Sequence, residues 1–224
     1  LSFKVIVEEL LSNSNVNNCV VTSKNSVKDV VKKNITKHLL IHFLFFRKCY
    51  QLLVVGIIGA HNVPDKPLVL IDTFLMPDYI DYDRWYGSLW DNLSKEQKLE
   101  TFFVPTLVLT PFKDIISLYK RAQLNVRNYI FKENYITLKD VIFAFGYKKR
   151  VKRIKIDKIS ILGYELSHLV KEELNNNSDI TTIIESILTY RFIDRFQKAG
   201  KNVRLAIDWF EGQALDKAWN MGFN

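Results

Sequence analysis

Apolar positions along the chain fall into short continuous runs alternating with stretches of helical period. Residues 19–22 read as a short strand and 26–33 as a helical turn. Asn34 to Thr36 then cap a long apolar helix running to about Val55, with Gly56, Gly59 and Asn62 at its end. Residues 67–72 (PLVLID) form a continuous apolar run ending in a carboxylate, as expected of a parallel strand covered on both faces. An aromatic and acidic loop follows over 77–90, and Ser94 with Gln97 makes a capping box. Residues 101–109 are a third strand, where Pro105 predicts an edge or a bulge. Residues 112–123 and 137–149 read as amphipathic helices. Residues 180–199 form a helix whose stripe is Ile183, Ile184, Ile187, Leu188, Phe192 and Phe196, closed by Gly200. A buried strand over 203–207 and a helix over 214–222 complete the series, and Asn175 to Ser178 is a surface loop. Strand and helix alternating in this way predict a single α/β domain over 1–224, Rossmann-like, with a largely parallel sheet flanked by helices. A basic helical segment around 113–158 belongs to it.

Composition narrows the class. The 224 residues are 48% apolar and 25% charged, with only 8 Gly and 5 Pro, which suits a globular chain and not a disordered one. Cys19 and Cys49 make no CxxC pair, and no signal peptide is visible, so a reducing cytoplasmic setting is expected. His38 and His42 stand at i, i+4 without a carboxylate or thiol at a helpful spacing; no metal site and no cofactor is expected. Residues 39–60 are the most hydrophobic stretch, yet they carry His42, Arg47, Lys48 and Gln51. Two central cations would each cost a few kcal/mol in a bilayer, which favours a buried helix over a membrane span and leaves peripheral membrane contact open.

Charge is unevenly distributed. Residues 59–111 hold eight acids and four bases, whereas 113–158 hold thirteen bases and four acids, more than the chain's net +8. The densest part is Lys148, Lys149, Arg150, Lys152, Arg153, Lys155 and Lys158. It is either a solvated helix end and linker or a surface for phosphate on anionic lipid, a nucleotide-sugar or nucleic acid. Nucleic acid is the least favoured, since no aromatic platform or helix-turn-helix accompanies the run. No GxGxxG or GxxxxGK[ST] sequence marks a nucleotide loop.

Three places carry candidate chemistry. Asp72 and Thr73 close a buried strand, where a carboxylate can act as a base or bind a sugar hydroxyl, or can cap the next turn. The loop around Arg84, Trp85 and Tyr86 mixes rings that stack on sugars with carboxylates that take their hydroxyls; it can equally be an interface or a lid. At the C-terminus, Asp208, Glu211, Gln213, Asp216 and Lys217 gather where a strand turns into a helix, the end at which ligands sit in open α/β sheets. Asp216 in the first helical turn also suits the helix dipole. Glu211 and Gln213 carry the greater functional weight.

The segment Trp209-Phe-Glu-Gly-Gln-Ala-Leu-Asp-Lys-Ala-Trp219 resembles a motif of bacterial surface-carbohydrate biosynthesis proteins, glycosyltransferases of O-antigen or capsule assembly. In these a Glu-x-Gln-x-x-(Glu/Asp)-Lys pattern follows an apolar strand. Leu70-Ile-Asp-Thr-Phe74, Arg84-Trp-Tyr86 and Phe103-Val-Pro-Thr106 are similar in spacing, so the resemblance extends over 67–223 and is sharpest in the last fifteen residues. Leu215 departs from it, standing where an aromatic residue is expected. The resemblance implies one lobe of a two-lobed, GT-B-type glycosyltransferase of surface polysaccharide or lipopolysaccharide biosynthesis. This chain would be the N-terminal, acceptor-side lobe, with a nucleotide-sugar lobe beyond residue 224, and would be inactive alone. Its partners would be a nucleotide-sugar donor and a glycan or lipid-linked acceptor. Its place would be the cytoplasm, peripheral to the inner membrane through Lys148 to Lys158. Glu211 or Asp72 would be the catalytic carboxylate. Gln213, Asp216, Lys217, Thr73, Arg84, Trp85 and Tyr86 would bind substrate. The alternative is a non-catalytic α/β module that binds anionic surfaces or nucleic acid through the basic run 148–158.

Overall fold

The computed structural model describes residues 27–59, 62–108, 110–176, 179–208 and 214–223, with side chains from residue 39 onward except 173, 175 and 176. The chain divides into two compact units, 1–39 and 40–224. The strand expected over 19–22 lies outside the described residues.

Helix α1 (Val27–Ile58) is one continuous element of 32 residues. The expected break near Asn34 is absent, because neither Pro nor Gly interrupts the hydrogen-bond ladder before Gly56. Gly56 is absorbed into the helix, and Gly59 ends it at φ +89°, its N–H donating to the Val55 carbonyl at 2.9 Å. In chain order there follow β1 (Leu68–Leu75), α2 (Leu89–Asn92), α3 (Lys95–Glu100), β2 (Thr101–Leu107) and α4 (Ile115–Gln123), the last preceded by a 3₁₀ turn at Phe112–Asp114. A second 3₁₀ turn, Lys132–Asn134, leads to α5 (Leu138–Phe145) and α6 (Tyr147–Val151), which are separated at Gly146. The basic segment is therefore several short elements and coil. The hairpin β3 (Ser160–Ile161) and β4 (Tyr164–Glu165) precedes α7 (Ser167–Asn176), α8 (Ile180–Lys198), β5 (Val203–Ile207) and α9 (Ala214–Phe223). The surface loop expected at 175–178 is helical at its first two positions.

The main sheet is parallel, in the order β2-β1-β5. The protein is thus α/β with helices against the sheet, consistent with a Rossmann-like arrangement. Side chains alternate across β1. Leu68 and Leu70 join Phe102, Val104, Ile184, Leu188, Phe192, Phe196 and Trp219 in one core cluster, covered by α5, α8 and α9. Ile71 and Leu75 join Phe103, Ile115, Leu118, Tyr119, Val54 and Val55 in the other, covered by α4 and the end of α1. The predicted α8 stripe is the one that packs. The capping box at Ser94 forms, as does a second one at Thr137 and Asp140.

Two expectations are corrected. Strand β5 is an edge strand among the described residues, where it pairs with β1 alone, and it is only half covered, with Leu205 50% exposed. Residues 39–58 are long and apolar enough to span a membrane, yet only 22% of the span is buried. They do not form a buried helix: Lys48, Gln51, Val54 and Val55 face inward while Leu40, Phe43, Phe46, Leu53 and Ile57 are exposed.

Candidate active site at the carboxyl edge of the sheet

Strand order fixes where a ligand crevice can form. The chain leaves β1 for β2 on one side and returns as β5 on the other, so β1 and β5 flank a switch point. Their pairing ends at Ile71 opposite Ile207. The next residues, Asp72 and Asp208, stand where the two strands part. Asp72 is buried, shares the Leu70 face of β1, and its Oδ1 has no hydrogen-bond partner. Strand β1 runs three residues past the expected end at Asp72, to Leu75, so no turn follows Asp72 directly for it to cap. Helix α9 brings in Asp216, also buried, from its first turn, and the Trp219 indole beside Asp72.

The electrostatics follow from that crowding. Burial pushes the Asp72 carboxyl up to about 7; Lys132 and the Trp219 N–H oppose the push, while Asp208 and Asp216 add to it. Burial and the Asp216 charge likewise raise Asp208. The Tyr86 hydroxyl is pushed up by burial first and then by the charges of Asp72, Asp83 and Asp208. Asp72 Oδ1, Asp208 Oδ2 and Tyr86 OH are buried without hydrogen-bond partners, and the Trp219 indole N–H faces the Asp72 carboxylate. Buried polar groups of native proteins are nearly always paired, and an unpaired group costs about 1–3 kcal/mol.

The loop before α2 is held from within. Asp83 is buried and accepts from the Thr73 hydroxyl and from the Trp85 and Tyr86 N–H groups, each at 2.8 Å. Thr73 therefore lies on the opposite face of β1 from Asp72 and positions the loop. Trp85 packs edge-on against Phe74 at 4.9 Å. Arg84 lies exposed over the Tyr79 and Trp85 rings. Of these loop residues, Tyr86 is the one whose hydroxyl feels the charges of Asp72 and Asp208, while its ring packs with the core cluster on the Ile71 face of β1.

Glu211 and Gln213 lie outside the described residues. Asp216 joins the site. Lys217, by contrast, is exposed and lines a groove with Phe143, Arg150 and Tyr190, because one residue along a helix turns a side chain by about 100°. Lys217 is not brought to Asp72.

Beside the carboxylates lies a buried ionic layer that local sequence reasoning missed. Lys132 is 3% exposed, and its ammonium donates to Thr106 Oγ1 at 2.6 Å and Thr189 Oγ1 at 3.2 Å. Its charge acts on Asp72 on one side and on Glu185 on the other. Glu185 is joined to Lys48 of α1; burial alone would raise its carboxyl, but Lys48, Lys132 and Arg47 pull it below the ordinary range. The one available signal was the end of the apolar run Tyr129-Ile-Phe-Lys132, where a lone cation follows aromatic residues that must be buried. Beyond the strand ends of β1 and β2 opens a pocket of about 560 Å³ lined by Phe43, Arg47, Phe74, Thr106, Pro111 and Leu215, among others. Among the described residues no group of three or more His, Cys, Asp or Glu is arranged to hold a metal ion.

In the basic run, Arg150 folds back. It donates to the Phe143 carbonyl, and its guanidinium lies 3.7 Å from the centre of the Phe143 ring. Lys149, Lys152, Arg153, Lys155 and Lys158 are exposed.

No protein-family profile, curated protein or solved structure gives a significant match to this chain. The site must be read from its own chemistry.

Proposed function

We propose that this chain is the acceptor-side lobe of a two-lobed glycosyltransferase of bacterial surface-polysaccharide biosynthesis, with Asp72 as general base. The convergence of Asp72, Asp208, Asp216 and Trp219 at the switch point carries this reading. A saccharide is both donor and acceptor at every hydroxyl, and this mix of carboxylate oxygens and an indole N–H matches it. A carboxyl near 7 is matched to proton removal at neutral pH. Asp72 takes the proton of an acceptor hydroxyl as that oxygen bonds to the anomeric carbon of a nucleotide-sugar. The bond from that carbon to the nucleotide phosphate breaks, and its electron pair leaves with the phosphate. Asp208 and Asp216 keep the Asp72 proton affinity high enough for the transfer, and the Trp219 donor orients the acceptor. The resemblance of 209–219 to the surface-carbohydrate proteins supports the same assignment, with Glu211 and Gln213 on the cleft edge.

The test is sugar transfer from a panel of nucleotide-sugars by the full-length natural protein. Asp72→Asn is expected to lose about 10²- to 10⁴-fold in kcat, the range of a lost general base. Asp72→Asn at the wild-type rate would remove Asp72 from catalysis, and no turnover of any nucleotide-sugar by the wild type would remove the reading.

A further inference from the structure

Arg47 is the unexplained residue of the 560 Å³ pocket. It lines a chamber whose walls include Phe43, Phe74, Pro111 and Leu215 together with the Glu185 carboxylate, and its hydrogen bond goes to the Thr110 carbonyl at 2.7 Å. Its carboxylate neighbour, Glu185, is already in contact with Lys48. Burial disfavours the guanidinium charge more than Glu185 and Tyr119 favour it. A guanidinium has five donors in a planar fork suited to phosphate.

We infer that this pocket binds an anionic amphiphile, a phosphate monoester of an apolar chain, with the phosphate on Arg47 and the chain against the pocket's aromatic and aliphatic walls. Charge complementarity selects the anion and the walls select the tail. The pocket's outer wall is Phe43, 52% exposed, and Leu40 and Phe46, one turn away on either side, are exposed as well. A tail too long for the pocket can therefore continue along α1 without meeting a charge. Asp72 and Phe74 share one face of β1, and Thr106 pairs with Phe74. The pocket thus begins about 7 Å along the strand from the proposed base, two residues at the usual rise. The inference rests on the proposed transferase reading in one respect: it seats the lipid phosphate of a lipid-linked acceptor, whose sugar hydroxyl would reach Asp72, in place of a free glycan.

The binding test needs no sugar transfer. Titration calorimetry on the protein would compare n-octyl phosphate with n-octanol and with inorganic phosphate. Octyl phosphate is expected to bind at least about tenfold tighter than either, the scale of one charge-assisted contact. Arg47→Gln should erase that advantage while leaving octanol unchanged. Thr181→Trp, at an exposed position on the pocket rim, should weaken octyl phosphate and octanol together, and covers the case in which Arg47→Gln fails to fold. Octyl phosphate binding no tighter than octanol, or unaffected by either variant, overturns the inference; so does inorganic phosphate binding as tightly as the ester. Octyl phosphate binding with no sugar turnover would sink the transferase reading alone. Asp72-dependent turnover without octyl phosphate binding would sink the pocket alone.

Discussion

Burial of Asp72 beside Asp208 and Asp216 means that, between about pH 4 and pH 7, the native chain holds a proton the unfolded chain has released. The sign is fixed by that difference. The unfolded state binds fewer protons in this window, so stability falls as pH rises from about 4 to about 7 and is flat in this residue above that. The full difference is on the order of 4 kcal/mol, an upper bound for a single carboxyl moved this far. Thermal melts of wild type and Asp72→Asn from pH 4 to 8 should show the variant gaining on the wild type as pH rises. Parallel curves would mean that Asp72 titrates normally. Stability and function pull against each other at this residue, as expected when a carboxylate is kept for chemistry.

Among the elements, α8 holds the helical layer together. At Asp140, burial alone would raise the carboxyl, but bonds from Arg195, Thr137 and Arg191 outweigh it and hold it down at about 2. The same carboxylate caps α5 through the Thr137 N–H at 2.8 Å and meets Arg191 of α8 at 2.8 Å. Asp140→Asn leaves two arginines without their anion. It should cost roughly 3 kcal/mol, the lower end for a broken buried pair because both arginines remain about a third exposed. That is about 8 °C in Tm for a chain of this size, readable by calorimetry. Helix α9 comes so close to α8 that a Cβ on Gly222 would lie 2.7 Å from Ile193 Cδ1 and 2.9 Å from its Cβ. Gly222→Ala, ordinarily favourable in a helix, should here destabilise by about 1–3 kcal/mol by overpacking. A denaturant midpoint equal to or above wild type would mean that the two helices can part without cost. Such a parting would also shift Trp219, and with it the donor beside Asp72.

At the scale of the whole molecule, how much could be read in advance depends on the range of the interactions. The strand begun at 67–72, which runs on to Leu75, the α8 stripe and the Ser94 box are written in neighbouring residues, and the stripe and the box form as expected. Asp72 was legible because a carboxylate ending an apolar run is a local anomaly. Lys132 was not, because its partners stand 26 and 57 residues away and only the folded sheet joins them. Lys217 failed for the opposite reason: proximity in sequence to Asp216 hid their separation around the helix. The basic segment also acts at this scale. Phe45 of α1 meets Phe145 at 5.3 Å, which brings α1 to the end of α5, just before the basic run. Binding to phosphatidylglycerol vesicles is therefore expected, weakening as salt rises. Combined Lys149→Glu, Lys152→Glu and Lys155→Glu should reduce it at least about tenfold, at about 1 kcal/mol for each lysine. Equal binding to neutral vesicles in a flotation assay would assign these lysines to a solvated surface alone.

Strand β5 closes one side of the sheet. Among the described residues it pairs with β1 and with no other strand. Its outer row of peptide groups is thus a half-written ladder that an extended segment could complete. Arg204, exposed on that strand, is tied to Glu100 of α3 at 3.1 Å, so its charge is drawn across β1 toward β2 and away from that outer row. Among the described residues, β5 is therefore held to the body of the protein on its inner side while its outer row stays open to pairing.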